Sequence, residues 1–230
     1  MKQKLLLVTA IFAGTLALGS QASYATEILA IGTCTTGLPP CSGPAGVTQL
    51  SSTPPGTPPL TLHQGGAIGV FSIISVDAIA STSTSLFSDT LDLTTTGGGA
   101  LELFVSTTGN TPASPSFESI FTSNSLPAGW SVVESTYANN DNTLFSTLPA
   151  DLLATTTFTT TGTNTQIDNP SAPLVAPYGL TQVYLITATT TGTTDDTISL
   201  VAVPEPASLA IFGTALVGFG LARRRRRKAA

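Results

Sequence analysis

Side chains able to do chemistry are few in this chain, and they are scattered. His63 is the single histidine, with no recognisable motif around it. General acid–base catalysis needs a titratable group in a tuned setting, so His63 reads as a loop or surface residue. Neither a Gly-x-Ser-x-Gly elbow, a His-Glu-x-x-His helix nor a phosphate loop occurs. Gly97-Gly98-Gly99 is turn material, because no helix follows it to receive a phosphate. Paired carboxylates can hydrolyse a glycosidic bond; Glu102, Glu118, Glu134 and the aspartates are the candidates, and nothing in their spacing selects two. Oxygen ligands crowd at Asn139-Asn140-Asp141-Asn142 and at Asp195-Asp196. Calcium takes about six to eight such ligands, but neither cluster has EF-hand spacing and Asn and Asp are ordinary turn residues. The expectation is no catalytic residue, no metal ligand and no cofactor, with calcium as the one ion left open.

Cys34 and Cys41 are the only cysteines, and they flank Thr-Thr-Gly-Leu-Pro-Pro. In an exported chain such a pair is expected to form a disulfide. Closing so short a loop stabilises by roughly 2–3 kcal/mol. A zinc site would need further nitrogen or sulfur ligands than His63 can supply.

Charge is distributed in blocks. The basic residues are Lys2 and Lys4 at the front and Arg223, Arg224, Arg225, Arg226, Arg227 and Lys228 at the back; every Asp and Glu lies between Glu27 and Glu205. An interior without cations cannot neutralise phosphates, which excludes nucleic acid as a partner. Cationic flanks mark the cytoplasmic side of a membrane segment, and each basic end abuts an apolar run. Met1–Lys4, the apolar Leu5–Gly19 and the small-residue sites Ser20-Gln21-Ala22 and Ser23-Tyr24-Ala25 read as a secretory signal peptide over residues 1–25, cleaved by signal peptidase. Ala207–Ala222 would span about 24 Å as a helix, short of a hydrocarbon core of about 30 Å, with the Arg223–Lys228 stop-transfer cluster able to snorkel.

Directly before that run stands Pro204-Glu205-Pro206. The two prolines fix φ and withhold amide donors, so the segment can join neither a preceding strand nor a following helix. A Pro-Glu-Pro tripeptide, an apolar helix and a terminal Arg cluster in that order resemble the PEP-CTERM sorting signal of exported bacterial proteins. The resemblance covers residues 204–230. It implies recognition and cleavage by an exosortase, transient membrane insertion through the C-terminal helix, and a Gram-negative host that makes extracellular polysaccharide.

The chemistry-bearing residues must be positioned by what lies between. Threonine is abundant and Glu, Lys, Arg and Met are scarce, which favours strands over helices. About 180 residues remain once both signals are removed, enough for one domain. Residues 26–65 form a Pro/Gly/Thr-rich segment carrying the cysteine loop, and 66–203 form an all-β passenger domain. Ala67–Ser75, almost continuously apolar, reads as a strand buried on both faces. Thr90–Thr95 and Ala100–Thr107 read as a hairpin around the three glycines, and Leu180–Thr190 and Thr197–Val203 as a second around Thr191–Asp196. Trp130–Tyr137 and Leu152–Thr161 are further strands. Short strands at this spacing suggest an antiparallel β-sandwich, jelly-roll-like, flanked by a signal helix and a C-terminal transmembrane helix.

The function expected from these features is non-enzymatic: an exported cell-surface or matrix protein, structural within or on extracellular polysaccharide. The alternative is a carbohydrate-binding sandwich whose aromatics, with Trp130, Tyr137, Tyr178 and Tyr184 as candidates, grip sugar rings. A glycoside hydrolase comes third.

Overall fold

A computed structural model describes residues 28–34, 44–56, 59–81, 86–111 and 116–203. Twelve strands are found among the described residues: β1 (Ile28–Cys34), β2 (Val47–Ser52), β3 (Leu60–Ile68), β4 (Phe71–Ser81), β5 (Leu86–Thr95), β6 (Gly99–Asn110), β7 (Ser116–Ser125), β8 (Ser131–Asn139), β9 (Leu152–Phe158), β10 (Gly162–Asp168), β11 (Tyr178–Ala188) and β12 (Gly192–Val203). They form two antiparallel six-stranded sheets, ordered β2-β1-β6-β11-β8-β9 and β10-β7-β12-β5-β4-β3. The chain is thus all-β and sandwich-like, as its composition predicts.

Period-two alternation explains which side chains fill the interior. In β7, Phe117, Ser119, Phe121 and Ser123 are buried while Glu118, Ile120 and Thr122 are half-buried. In β12 the inward set is Thr194, Asp196, Ile198 and Leu200. Phe87, Leu91 and Leu93 from β5 meet Leu101, Leu103 and Val105 from β6 and Tyr184 and Ile186 from β11 in one apolar core. Each such large side chain, fully buried, contributes roughly 1.5–3 kcal/mol.

Three expectations about local pairing are corrected. The Gly97–Gly99 turn does not close a hairpin, because β5 pairs with β4 and β12 while β6 pairs with β1 and β11. Likewise β11 and β12 lie in different sheets, and Thr193 to Asp196 are strand residues rather than a loop. Both links cross from one sheet to the other, and they touch: a Cβ on Gly98 would sit 3.3 Å from the Thr189 carbonyl oxygen. Finally, Ala67–Ser75 is broken by a two-residue turn, with Ile68 opposite Phe71. Gly69 has φ 60°, which suits the first central position of a tight hairpin turn. The following strand is buried on one face only; Ile74 is 56% exposed and Ile79 46%.

The sandwich also reaches back past residue 65. Strands β1 and β2 belong to the first sheet, and residue 65 falls inside β3. The Pro-rich segment is therefore a connection within the fold. The signal peptide, Cys41, the Pro204–Pro206 motif, Ala207–Ala222 and the Arg223–Lys228 cluster all lie outside the described residues. No helix among the described residues is long and apolar enough to cross a membrane.

One connection does more than join strands. Residues 140–151, between β8 and β9, lie over the outer face of the first sheet. Phe145 packs edge-on against Phe104, with ring centroids 6.2 Å apart, in a second apolar cluster with Ala30, Cys34 and Val183. Its amide donates to Ser106 Oγ at 3.0 Å. Asn142 Oδ1 accepts from the Gly109 amide at 2.7 Å, and Asn139 Oδ1 from the Thr143 amide at 3.1 Å.

Candidate functional site

The most unusual chemistry lies between the sheets. Strand alternation carries Asp89 inward with Phe87, Leu91 and Leu93; Asp196 inward with Ile198 and Leu200; and Glu134 inward with Val132. Tyr184 is opposite Glu134 across the β8–β11 pair, and Ile198 is opposite Asp89 across the β5–β12 pair. The three carboxyls are 0–1% exposed.

Hydrogen bonds run between the sheets here. Tyr184 Oη donates to Asp89 Oδ1 at 2.8 Å and accepts from the Ile198 amide at 3.0 Å. Gln182 Nε2 donates to the Phe87 carbonyl at 3.1 Å, and the Ser119 and Thr136 hydroxyls are 2.8 Å apart. Both oxygens of Glu134, Asp89 Oδ2 and Asp196 Oδ1 have no hydrogen-bond partner among the described groups. Loss of hydration favours the neutral acid. Burial raises Asp89 to about 8, opposed mainly by the Tyr184 bond. Burial, followed by the charges of Asp196 and Asp89, raises Glu134 to about 10. Asp196 is raised to about 6 by burial, against a hydrogen bond from Thr194. Tyr184 is pushed well above its usual value by burial and by Asp89.

Raised carboxyls commonly mark active sites. These face the interior, and two surface cavities among the described residues lie elsewhere. One, of about 200 Å³, is lined by Ile68–Phe71 and Gly99–Leu101. The other, of about 420 Å³, is lined by Thr61–His63 and Asp77–Ile79. The glutamates weighed for hydrolysis are not brought together. Glu102 lies on the outer side of the first sheet with Phe104, Glu118 on the outer side of the second, and Glu134 between them.

His63 Nδ1 is 2.7 Å from Asp77 Oδ1 across the β3–β4 pair, with both side chains more than half exposed; the His63 bond holds Asp77 below its usual value. Three of the aromatics proposed to grip sugar are core residues: Trp130 and Tyr178 are 1% exposed and Tyr184 0%. Tyr137 is half-buried against the outer cluster, so no aromatic platform forms from these four. Asp195 and Asp196 point to opposite faces of β12. The Oδ1 atoms of Asn139, Asn140 and Asn142 each accept a backbone amide. No group of three or more His, Cys, Asp or Glu suited to a metal occurs among the described residues. Cys34 ends β1, 4% exposed, beside Glu102; the expected pairing with Cys41 falls outside the described residues. The acidic interior was not anticipated, although the signal was there. Extending the Ile198, Leu200 register two residues back lands on Asp196, and the Phe87, Leu91 register contains Asp89.

The strands define an antiparallel β-sandwich protein, and its last strand runs without a spacer into a sorting tail. Residues 202–227 match the PEP-CTERM protein-sorting motif, and Ala202 and Val203 are still paired to Phe117 and Ser116 in β7. The chain is therefore a PEP-CTERM domain-containing protein, exported to the cell envelope or surface and sorted by an exosortase. The match covers the tail and assigns nothing to the sandwich. None of the curated proteins matches the chain.

Proposed function

We propose that this protein is a non-enzymatic structural component of the cell surface or extracellular matrix, held within or on extracellular polysaccharide. The observation that carries the reading is the direct fusion of the sorting motif to β12, a central strand flanked by β5 and β7. Whatever is joined to the chain at the cleaved motif thereby holds the middle of the second sheet, an arrangement suited to a retained scaffold. Residues 1–25 are removed as a signal peptide, Ala207–Ala222 inserts transiently as a helix ahead of its Arg stop, and Cys34–Cys41 close as a disulfide in the oxidising exterior. Winding supports a jelly-roll-like passenger: β10-β7-β12-β5 face β6-β11-β8-β9, and from β5 to β12 every link except β8–β9 changes sheet. Fractionating cells with and without the exosortase tests the proposal. Recovery with the polysaccharide only in exosortase-positive cells supports it; a soluble cytosolic protein sinks it.

A polysaccharide-binding reading has its own observation. The outer face of the second sheet carries cross-strand hydroxyl pairs, Ser88–Ser199 at 2.9 Å, Thr90–Thr197 at 3.2 Å and Thr122–Thr163 at 3.3 Å. A row of this kind would hold sugar by hydrogen bonds rather than by ring stacking. Co-sedimentation with host polysaccharide separates the readings. Release of reducing ends in that assay would instead indicate a hydrolase, and a melting shift between calcium and chelator would indicate a bound ion.

A further inference from the structure

We propose that Asp89, Glu134 and Asp196 form an alkali-sensitive latch between the two sheets, closed while the carboxyls carry protons and forced apart as they ionise. Thr194 Oγ1 lies 2.7 Å from the Ser125 carbonyl oxygen and 2.6 Å from Asp196 Oδ2. A hydroxyl owns one proton, and a carbonyl can only accept. One proton cannot fully serve both acceptors, so both short contacts are full hydrogen bonds only when Asp196 carries a proton of its own.

The group also has no counter-charge among the described residues. Around the group, β5 presents Asp89, β8 Glu134, β11 Tyr184 and Gln182, and β12 Asp196 and Thr194, while β7 adds Ser119, Phe121 and Ser123 and β6 Leu103 and Val105. All the titratable members are acidic. Asp195 and Asp92, paired on the outer side of β12 and β5, add further negative potential. His63 is on the outside of β3 with Asp77, and no Lys or Arg occurs between Lys4 and Arg223. Ionising Glu134 would leave a buried charge with no cation beside it, a state that proteins avoid.

Sign and window follow from linkage. Unfolded carboxyls ionise near pH 4, so the folded state binds the extra protons and stability falls as pH rises. The contribution is complete below about pH 4. It is lost up to about 6 for Asp196, about 8 for Asp89 and about 10 for Glu134. Each carboxyl still protonated in the fold weakens the folding constant about tenfold per pH unit across its window. A protein placed outside the cell meets ambient pH directly, so its sandwich would hold in acid and loosen in alkali.

The test uses the exported, processed protein purified from its host, melted at steps from pH 5 to 9 beside Glu134→Gln and Asp196→Asn. The wild-type midpoint should fall steadily and recover on re-acidification. Each amide variant should shed about one tenfold step per pH unit of that fall within its window. A midpoint that is flat or rises with pH overturns the latch, as does an unaltered slope in both variants or a fall abolished by added calcium. Should neither variant fold, the infrared carbonyl stretch of wild-type protein at pH 7 decides. A protonated-carboxyl band that vanishes on unfolding supports the latch, and its absence overturns it.

Discussion

The outer faces of the two sheets have been treated in opposite ways. On the first sheet, alternation turns Ala30, Phe104 and Val183 outward, and residues 140–151 fold back to cover them with Phe145. On the second, the outward positions include Ser88, Thr90, Thr122, Thr163, Thr197 and Ser199, with no described element over them, and they hydrogen-bond across the strands in pairs. One face therefore needs a roof to remove apolar surface from water, whereas the other is hydrated as it stands. The exposed Ile74 and Ile79 on that side are single residues at its β4 margin, and scattered apolar residues of this kind are normal.

Taking away the roof should cost most. Phe145→Ala is expected to destabilise by about 3–5 kcal/mol, read as a large drop in denaturation midpoint, while Ile79→Ala on the bare sheet should stay within about 0.5 kcal/mol. Equal losses would erase the contrast. Next comes the pin that holds the roof. Asn142→Ala removes the acceptor of the Gly109 amide and places alanine at φ 52°, for an expected loss of about 1–3 kcal/mol; a neutral result would mean that the segment is held by Phe145 alone. On the open face, Thr90→Val removes one hydroxyl pair and should cost about 0.2–1 kcal/mol. If that face holds polysaccharide, retention in co-sedimentation should drop more than stability does. The smallest effect belongs to His63→Ala, whose exposed pair with Asp77 is worth under about 1 kcal/mol and less in salt.

The contrast was partly written in the sequence. Alternation in β7 and β12 separates inward from outward side chains without any structure, and threonine abundance points to strands. The two supposed hairpins failed because Gly97–Gly99 and Thr191–Asp196 report where the chain turns, not which sheet receives the next strand. Partner choice is non-local and is decided when the sandwich closes. Phe145 gave no periodic signal, since a covering segment follows neither a period of two nor of 3.6. Asp89, Glu134 and Asp196 were in register with the apolar positions, yet carboxylates are ordinarily assigned to the surface. At the C-terminus the tripeptide, apolar run and Arg cluster were legible because they are contiguous, and the matched motif over residues 202–227 bears that out.

Terminal mass spectrometry of the protein recovered from exosortase-positive and exosortase-negative cells bears most directly on the sorted, exported scaffold described above. The account predicts a new C-terminus near Pro204–Pro206 in the positive cells, with Ala207–Ala222 and the Arg cluster gone, and an uncut tail in the negative ones. An intact Arg223–Lys228 cluster on the surface protein of exosortase-positive cells would contradict it.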